Sequence, residues 1–306
     1  MPLDRHAQRF LKMLALSGPP AIIDAAKRRR DLEALRHVGE GDPEPGVATC
    51  DISIETPAGG VGARLYVPKG LQEPSPALVY LHGGGWVAGD LETHDGVCRR
   101  LALASGCKIV AVDYRRAPEH PFPAALEDAA AVLAWTAREA RSLGFDPARI
   151  ALGGDSAGAN IAAAAVVAGG ARPAALLLVC PILDIARESA SRKAYAEGYF
   201  LDRTTMAADL VDYLPPNTDR RDPRLSPLLA EDLSGLPPTL IHSAEFDPFR
   251  DEAAAFASHL AEVGVLVRHT EHAGMIHYFY ALPRAIPHAL VAAQSIGAEL
   301  KALLEA

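Results

Sequence analysis

Residues 153–158 read Gly-Gly-Asp-Ser-Ala-Gly and place Ser156 at the centre of a Gly-x-Ser-x-Gly motif. The apolar run 150–152 precedes the motif, and an Ala-rich helical pattern, 157–168, follows it. A serine on a sharp turn from a strand into a helix has an exposed hydroxyl, and flanking glycines remove side chains that would clash with neighbouring backbone. In this context the motif predicts a nucleophilic serine on an α/β fold.

From residue 77 onward, short apolar segments alternate with helical patterns. We predict strands at 77–81, 108–113, 149–152, 174–180, 238–243 and 265–270, and helices at 92–105, 122–142, 157–168, 249–263 and from 284 onward. Such alternation is typical of a mostly parallel sheet covered by helices on both faces. Before it, segments 49–56 and 62–67 alternate apolar and polar residues and predict an antiparallel pair.

Two other segments do not follow this alternation. Residues 1–45 have polar-faced helical patterns and contain the basic run 27–30, interpreted as a solvated helix face; residues 39–46 form a Gly/Pro/acidic linker. Residues 184–227 are too long for an ordinary crossover and carry an aromatic cluster of Tyr195, Tyr199, Phe200 and Tyr213. An insertion after a strand predicts a cap that packs with residues 1–45, the alternative being an extra helical pair without a role at the site. Residues 46–183 and 228–306 then form the α/β domain.

Composition excludes several classes of protein. The 306 residues are 49% hydrophobic, enough for a large core, and the formal net charge of −8 argues against a nucleic-acid or anionic-membrane partner. No apolar run approaches the roughly 20 residues that span a bilayer, and the first residues do not have the pattern of a signal peptide. Four scattered cysteines without a Cys-x-x-Cys pair favour a reducing compartment. We therefore expect a soluble, cytoplasmic protein without stable membrane insertion.

An acid and a base are expected on the loops after the last two strands, because the groups of a doubly wound site follow strand carboxyl ends. The loop after strand 238–243 offers Asp247, which precedes a proline that opens a helix. Its nearest rivals are Glu245 and Asp251.

Three histidines compete for the role of base. His277 lies just before an apolar helical segment, at the end of a Gly-containing loop long enough to reach over Ser156, and it is favoured over His272. His269 is expected within the strand. His269 and His272 form a His-x-x-His pair without a third ligand at a suitable spacing, so no metal site is expected.

Three consecutive glycines follow strand 77–81, within the sequence His-Gly-Gly-Gly-Trp at residues 82–86. They let backbone N–H groups turn toward an oxyanion, and we expect Gly84, Gly85 and Ala157 to donate to it. The alternative is a plain glycine-rich turn. No phosphate-binding Gly-x-x-x-x-Gly-Lys-Ser/Thr motif is present, and the glycines around Ser156 lack dinucleotide spacing, so no cofactor is expected.

Together these motifs resemble the bacterial hormone-sensitive-lipase family of α/β-hydrolase carboxylesterases. Residues 82–86 look like its H-G-G-G-[FW] loop, and residues 154–160 look like its G-D-S-A-G-x-N elbow. Residues 113–120 are similar to its D-Y-R-L-A-P-E-H segment, with Arg116 in place of leucine, and residues 247–252 to D-P-L-R-D-E. Four motifs in the right order make the resemblance highly specific, from about residue 50 to the end of the chain.

The resemblance implies an α/β-hydrolase fold with a helical cap, Ser156 as nucleophile, His277 as base and Asp247 as its acid. It also implies a small ester of short to medium acyl chain as substrate, and makes a homodimer plausible. One departure is that Tyr278 follows His277 where the family usually has glycine. A bulky residue there is expected to shift the histidine loop or narrow the acyl pocket.

Some expectations stay open at this point. The pocket residues proposed from their aromatic character are Trp86, Tyr199 and Phe200, for which ordinary cap or core packing is an equal alternative. An amidase or formamidase on the same scaffold is the rival activity. A non-catalytic ligand receptor is the rival class, but such a receptor is expected to have lost a member of the triad, and this chain has all three.

Overall fold

A computed structural model describes residues 2–16, 18, 24–41, 44–170 and 172–306. The centre of the predicted linker, residues 42–43, lies outside the described residues, as do residues 1, 17 and 19–23 of the predicted N-terminal cap segment.

A single eight-stranded sheet, in the order β1-β2-β4-β3-β5-β6-β7-β8, forms the centre of the molecule. The strands are β1 (Val47–Thr56), β2 (Gly59–Pro68), β3 (Ser75–Leu81), β4 (Lys108–Asp113), β5 (Phe145–Asp155), β6 (Ala175–Val179), β7 (Thr239–Phe246) and β8 (Val267–Ile276). β1 pairs antiparallel with β2, and β2 with β4, whereas every other pair is parallel. The predicted α/β fold with a mostly parallel sheet is confirmed.

Helices cover both faces of this sheet. They are α1 (Arg5–Ala15), α2 (Ala25–Gly39), α3 (Asp95–Ser105), α4 (Ala124–Arg138), α5 (Ala157–Val167), α6 (Ala190–Ala194), α7 (Arg203–Tyr213), α8 (Arg250–Glu262) and α9 (His288–Glu305). In β3, Val79 and Leu81 pack into one apolar cluster and Leu78 and Tyr80 into another, because successive strand residues face opposite sides. Among the described residues, no helix is long and apolar enough to cross a bilayer.

The helix that follows Ser156 lies deepest in the molecule. Every residue of α5 up to Val166 is buried, most of them alanines. Small side chains allow a helix to lie close to the sheet and to β5 in particular.

The last strand is longer than the sequence predicts. β8 extends to Ile276 because its pairing with β7 continues past Ala244↔His272 to Phe246↔Ile276, with an irregularity between them. His272 therefore lies in the strand and not in a loop. Gly274, with φ 74°, lies at this irregularity. Of the three candidate histidines, only His277 follows the end of the strand.

Candidate active site

The backbone at Ser156 turns sharply between β5 and α5. Ser156 has φ 52° and ψ −116°, a conformation that a residue other than glycine rarely adopts. Its N–H donates to the carbonyl of Val179 at 2.8 Å, and its carbonyl accepts from the N–H of Asn160 at 3.0 Å. These bonds hold the turn at the carboxyl edge of the sheet.

Two glycines make this turn possible by steric necessity. A Cβ on Gly154 would lie 2.3 Å from the carbonyl oxygen of Leu81, and one on Gly158 would lie 2.0 Å from the same atom. These are contacts with the backbone of β3, which has no freedom to move aside. The motif glycines thus let the turn at Ser156 approach the strand that leads into the loop at residues 82–86.

Ser156, His277 and Asp247 form one hydrogen-bonded chain. His277 Nε2 lies 3.0 Å from Ser156 Oγ, and His277 Nδ1 lies 2.7 Å from Asp247 Oδ2. A carboxylate only accepts, so Nδ1 carries the proton and Nε2 accepts from the serine hydroxyl. The other oxygen of Asp247 accepts the N–H of Phe249 at 2.8 Å, which fixes the carboxylate. All three side chains are buried.

The rival acids have other partners. Glu245 accepts the N–H of Gly274 at 2.7 Å, and Asp251 accepts the N–H of Ser191 at 2.7 Å and pairs with Arg250. Neither hydrogen-bonds to His277 in the part of the chain that the structure describes.

The rival histidines lie within β8, and their rings contact other partners. His272 Nε2 is 3.2 Å from His242 Nδ1, and His272 Nδ1 is 3.0 Å from His288 Nε2. His269 Nε2 is 2.8 Å from Ser243 Oγ. Burial lowers the pKa of His242 to about 3 and that of His272 to about 4, so both rings are neutral near pH 7.

The glycine loop after β3 has the open backbone that an anion site needs. Gly84 and Gly85 have φ 122° and 63°, and a Cβ on Gly84 would lie 2.3 Å from the carbonyl oxygen of Ala88. Among the hydrogen bonds between described residues, none uses the N–H groups of Gly84, Gly85 or Ala157. Three donors therefore remain available beside Ser156.

The residue before Ser156, Asp155, has a buried carboxylate with three hydrogen-bond partners. Asp155 accepts the hydroxyl protons of Tyr80 and Tyr280, each at 2.7 Å, and its Oδ2 lies 3.3 Å from His94 Nε2. Burial raises the pKa of Asp155, but His94 and the tyrosine hydroxyls outweigh it and hold this pKa below its ordinary value. The sequence analysis missed this network because its members come from four separate segments. The only available signal was the acidic residue inside the motif.

Cys180 lies next to the acid. The ligand atoms of Cys180, Asp247 and His277 are within 4.8 Å of one another. Burial, and then the carboxylate of Asp247, raise the pKa of the Cys180 thiol well above its usual range, so the thiol stays protonated. The hydrogen bond between Asp247 and His277 already engages the other two groups, and this set of donors does not favour a metal ion.

A cavity of about 820 Å³ opens over Ser156 and His277. Gly84, Gly85, Trp86 and Phe200 line it, together with apolar residues of α2 and α7. Tyr199, which the sequence analysis placed in the pocket, is not among the lining residues. Its ring instead stacks on Phe246 at 5.7 Å, which turns it away from the cavity.

Two arginines join α2 to the rest of the site. Arg28 forms an ion pair with Asp209 of α7, and both line the cavity. Arg29 donates from Nε to the carbonyl of Val87 at 2.9 Å and from its terminal nitrogen to Ala117 at 3.0 Å. The interpretation of residues 27–30 as a solvated face is wrong for these two residues, because Arg28 pairs with a buried carboxylate on α7 and Arg29 donates to backbone carbonyls after the glycine loop.

The comparison with known proteins agrees with this geometry. A family model described as an alpha/beta hydrolase fold matches residues 78–281. The chain is 39% identical to carboxylic ester hydrolase LipN of Mycobacterium tuberculosis, over 87% of this chain and 73% of that protein. It is 35% identical to ethyl acetate hydrolase of Pseudomonas putida, over 93% of this chain and 90% of that protein.

Solved structures of ester hydrolases are also similar to this chain. The ester-hydrolase EH1AB1 from the metagenome of Lake Arreo superposes with a TM-score of 0.95 at 39% identity, over 99% of this chain and 100% of that one. A hyperthermophilic esterase from the archaeon Pyrobaculum calidifontis gives a TM-score of 0.91 at 36% identity, with both chains covered in full.

Proposed function

Because the chain belongs to the α/β-hydrolase family, in its hormone-sensitive-lipase-type group, we propose that Ser156 is the nucleophile with which it hydrolyses carboxylic esters. The chain is a carboxylic ester hydrolase. The observation that carries the residue assignment is the hydrogen-bonded chain from Ser156 through His277 to Asp247, at the base of a cavity and beside three available N–H donors.

Acylation begins when Ser156 Oγ attacks the ester carbonyl carbon. His277 Nε2 takes the hydroxyl proton, and Asp247 stabilises the imidazolium through Nδ1–H. The N–H groups of Gly84, Gly85 and Ala157 stabilise the oxyanion of the tetrahedral intermediate. When that intermediate collapses, His277 returns the proton to the leaving alcohol, and the acyl group remains on Ser156.

Deacylation repeats the same steps with water. His277 accepts a proton from the attacking water, the same three donors hold the second oxyanion, and the acid leaves as Ser156 regains its proton. Each step uses groups of this chain and the two substrates.

Residues 1–45 and 184–227 form the cap in this proposal, and residues 46–183 and 228–306 the catalytic domain. The ion pair between Arg28 and Asp209 supports the division, because it joins the two cap segments directly over the cavity. A covered, mostly apolar cavity suits a single small ester of short to medium acyl chain better than a lipid aggregate.

Steady-state hydrolysis of p-nitrophenyl esters from acetate to laurate tests the proposal, with Ser156→Ala as the matched variant. We expect turnover that peaks at short to medium chains and falls by at least ~10³-fold in the variant. Turnover of anilides above esters would favour the amidase alternative. Binding without turnover in the folded wild type would favour a receptor, and full activity in Ser156→Ala would refute the nucleophile.

The homodimer stays an inference from the family resemblance alone, and the cytoplasmic location stays a prediction from the sequence. Light scattering coupled to size exclusion measures the first, because twice the chain mass of 32.4 kDa would indicate a dimer. Cell fractionation measures the second.

A further inference from the structure

Tyr278, the residue after the base, has a backbone that its side chain disfavours. Its φ is 67° and its ψ is 6°, in the left-handed region, and it precedes a short 3-10 helix, Phe279–Ala281. A bulky aromatic residue rarely adopts this conformation, and such conformations persist where the surrounding structure enforces them. The histidine loop is nevertheless in place, since His277 reaches both Ser156 and Asp247. We therefore look to the contacts of the Tyr278 side chain for the reason that this strained backbone is present.

The ring of Tyr278 stacks on a second strained residue. Phe200, in the predicted cap insertion, has φ 81°, and its ring lies parallel to that of Tyr278 at 5.6 Å and 6°. The ring of Phe10 in α1 also contacts Phe200, at 6.2 Å and an interplanar angle of 37°. Three segments that are distant in sequence thus meet in one aromatic cluster. Two of its three members have a positive φ.

Two further rings contact Tyr278. His94 meets it edge-on at 6.1 Å, and Tyr280 meets it edge-on at 5.6 Å. Both of these residues also contact Asp155, the residue before the nucleophile. Since Phe200 stacks on the Tyr278 ring and these two rings contact it at steep angles, packing restrains the ring.

The pair also borders the cavity. Tyr278 and Phe200 both line the space that contains Ser156 and His277, and Tyr278 is 5% exposed. Trp86, which also lines the cavity, is held in the same manner by stacking on Tyr213 at 4.5 Å and 4°. The space beside the base is thus bounded by rings that packing keeps fixed.

We propose that Tyr278 is a specificity-determining residue: with Phe200 it forms a rigid wall that limits the size of the ester group lying beside His277. This inference rests on the proposed function. This role explains why side chains are present at two positions with a positive φ, since glycine at position 278 would relieve the backbone strain but leave that side of the cavity open.

The test is a competition between a bulky and a small ester for the same enzyme. One pair varies the acyl group (p-nitrophenyl pivalate against acetate), and a second pair varies the alcohol (2-naphthyl acetate against phenyl acetate). The ratio of kcat/KM for bulky over small is measured in wild type, Tyr278→Gly, Phe200→Ala, Tyr278→Phe and Tyr199→Ala. This ratio does not depend on the fraction of enzyme that is folded, because both esters meet the same molecules.

We expect Tyr278→Gly to raise the ratio by at least ~10-fold in one of the two pairs, and Phe200→Ala to raise it in the same pair. The pair that responds identifies the side of the ester that meets the wall. Tyr278→Phe keeps the ring and should leave the ratio within about threefold of wild type. Tyr199 lies next to Phe200 in sequence but does not line the cavity, so Tyr199→Ala should also leave the ratio within about threefold of wild type.

Unchanged ratios in both pairs for Tyr278→Gly would overturn the wall and leave the proposed function standing, provided wild type turns over and Ser156→Ala does not. A rise of the same size in Tyr199→Ala would also overturn it, since general loosening of the cap would then explain the effect. Failure of the proposed function is a different result: no ester turnover in wild type, or activity in Ser156→Ala.

Discussion

Gly158 has an ordinary backbone conformation, yet no other residue fits there. A Cβ at this position would lie 2.0 Å from the carbonyl oxygen of Leu81 and 2.5 Å from that of His82, at the entry to the glycine loop. A methyl group would therefore push the turn at Ser156 away from Gly84 and Gly85, two of the proposed oxyanion donors.

We predict that Gly158→Ala lowers kcat by at least ~10²-fold, about the cost of losing one oxyanion donor. Gly235→Ala is the matched control, because nothing lies within 4 Å of a Cβ at Gly235. Steady-state kinetics with p-nitrophenyl acetate measures both. Equal kcat values for the two variants would mean that the turn tolerates the displacement.

A second prediction at the residue scale concerns Asp155. Its carboxylate, fully buried, is paired with His94 and accepts from Tyr80 and Tyr280. Asp155→Asn leaves these partners without an anion, and we expect a loss of about 3–5 kcal/mol in the free energy of unfolding. Tyr80→Phe removes one donor and should cost about 1–3 kcal/mol. Urea unfolding at pH 7 measures both, and a smaller loss for Asp155→Asn than for Tyr80→Phe would contradict the account.

Single residues were predictable where the motif and the topology agree. Ser156, Asp247 and His277 each follow a strand at the same edge of the sheet, so strand assignment limited the acid and the base to two loops. It left rivals in both loops, and local reasoning together with the family resemblance decided between them. Tyr199 was not predictable, because its ring packs on Phe246, which is distant in sequence. Its neighbour Phe200 faces the cavity through a backbone with φ 81°, which no pattern in the sequence indicates.

At the scale of elements, Arg29 is the side chain that attaches α2 to the segments that follow the glycine loop. Arg29 bonds the carbonyls of Val87 and Ala117 and forms an ion pair with Glu119. Because a guanidinium donates to several acceptors at once, Arg29 holds α2 against the segment after the glycine loop.

Arg29→Met should therefore loosen α2 over the cavity and raise KM several-fold, with a smaller decrease in kcat. The neighbouring Arg30 is exposed, so Arg30→Met removes the same charge from the same helix and serves as control. Kinetics on p-nitrophenyl butyrate distinguishes them. If Arg30→Met raises KM as much as Arg29→Met does, net charge and not the contact is responsible.

Elements were predicted in order and type, but not at all of their ends. β8 continues to Ile276 through Gly274 because its ladder with β7 persists. Pairing between strands is a long-range property, and a polar, glycine-containing stretch gives no sign of it. For the same reason the predicted strand ended at residue 270, before His272, whereas the structure places His272 within β8 and against His242 and His288.

Over the whole molecule, buried neutral histidines make stability sensitive to acid. Burial lowers the pKa of His82 and His242 to about 3 and that of His272 to about 4, whereas unfolded histidine titrates near pH 6.5. Between these values the unfolded chain binds more protons than the folded one, so stability falls as pH falls below about 6.5. Each such site costs about 2 kcal/mol between pH 7 and pH 5. His94, whose pKa Asp155 raises against the effect of burial, acts in the opposite sense.

The contribution of one site can be isolated with His272→Gln. We predict that the loss of unfolding free energy from pH 7 to pH 5 is about 2 kcal/mol smaller in this variant than in wild type. His120→Gln, at an exposed position, should keep the wild-type difference. Urea unfolding at both pH values measures it, and parallel pH profiles for wild type and His272→Gln would contradict the pKa direction.

The overall architecture was predictable because it depends on repeated local patterns. Apolar strands between helices predict a parallel sheet covered on both faces, and the two apolar clusters lie on its two sides. The contacts that close the cavity were not predictable. Arg28 with Asp209, and Phe10 with Phe200, join segments that are remote in sequence, and only the folded chain brings them together.

The central claim is that Ser156 is the nucleophile, and labelling with a p-nitrophenyl alkylphosphonate tests it most directly. We expect one phosphonyl group per chain, located by peptide mass spectrometry on Ser156, with loss of esterase activity in proportion to labelling. Ser156→Ala should take up no label. A label on another residue, or full activity in the labelled enzyme, would contradict the claim.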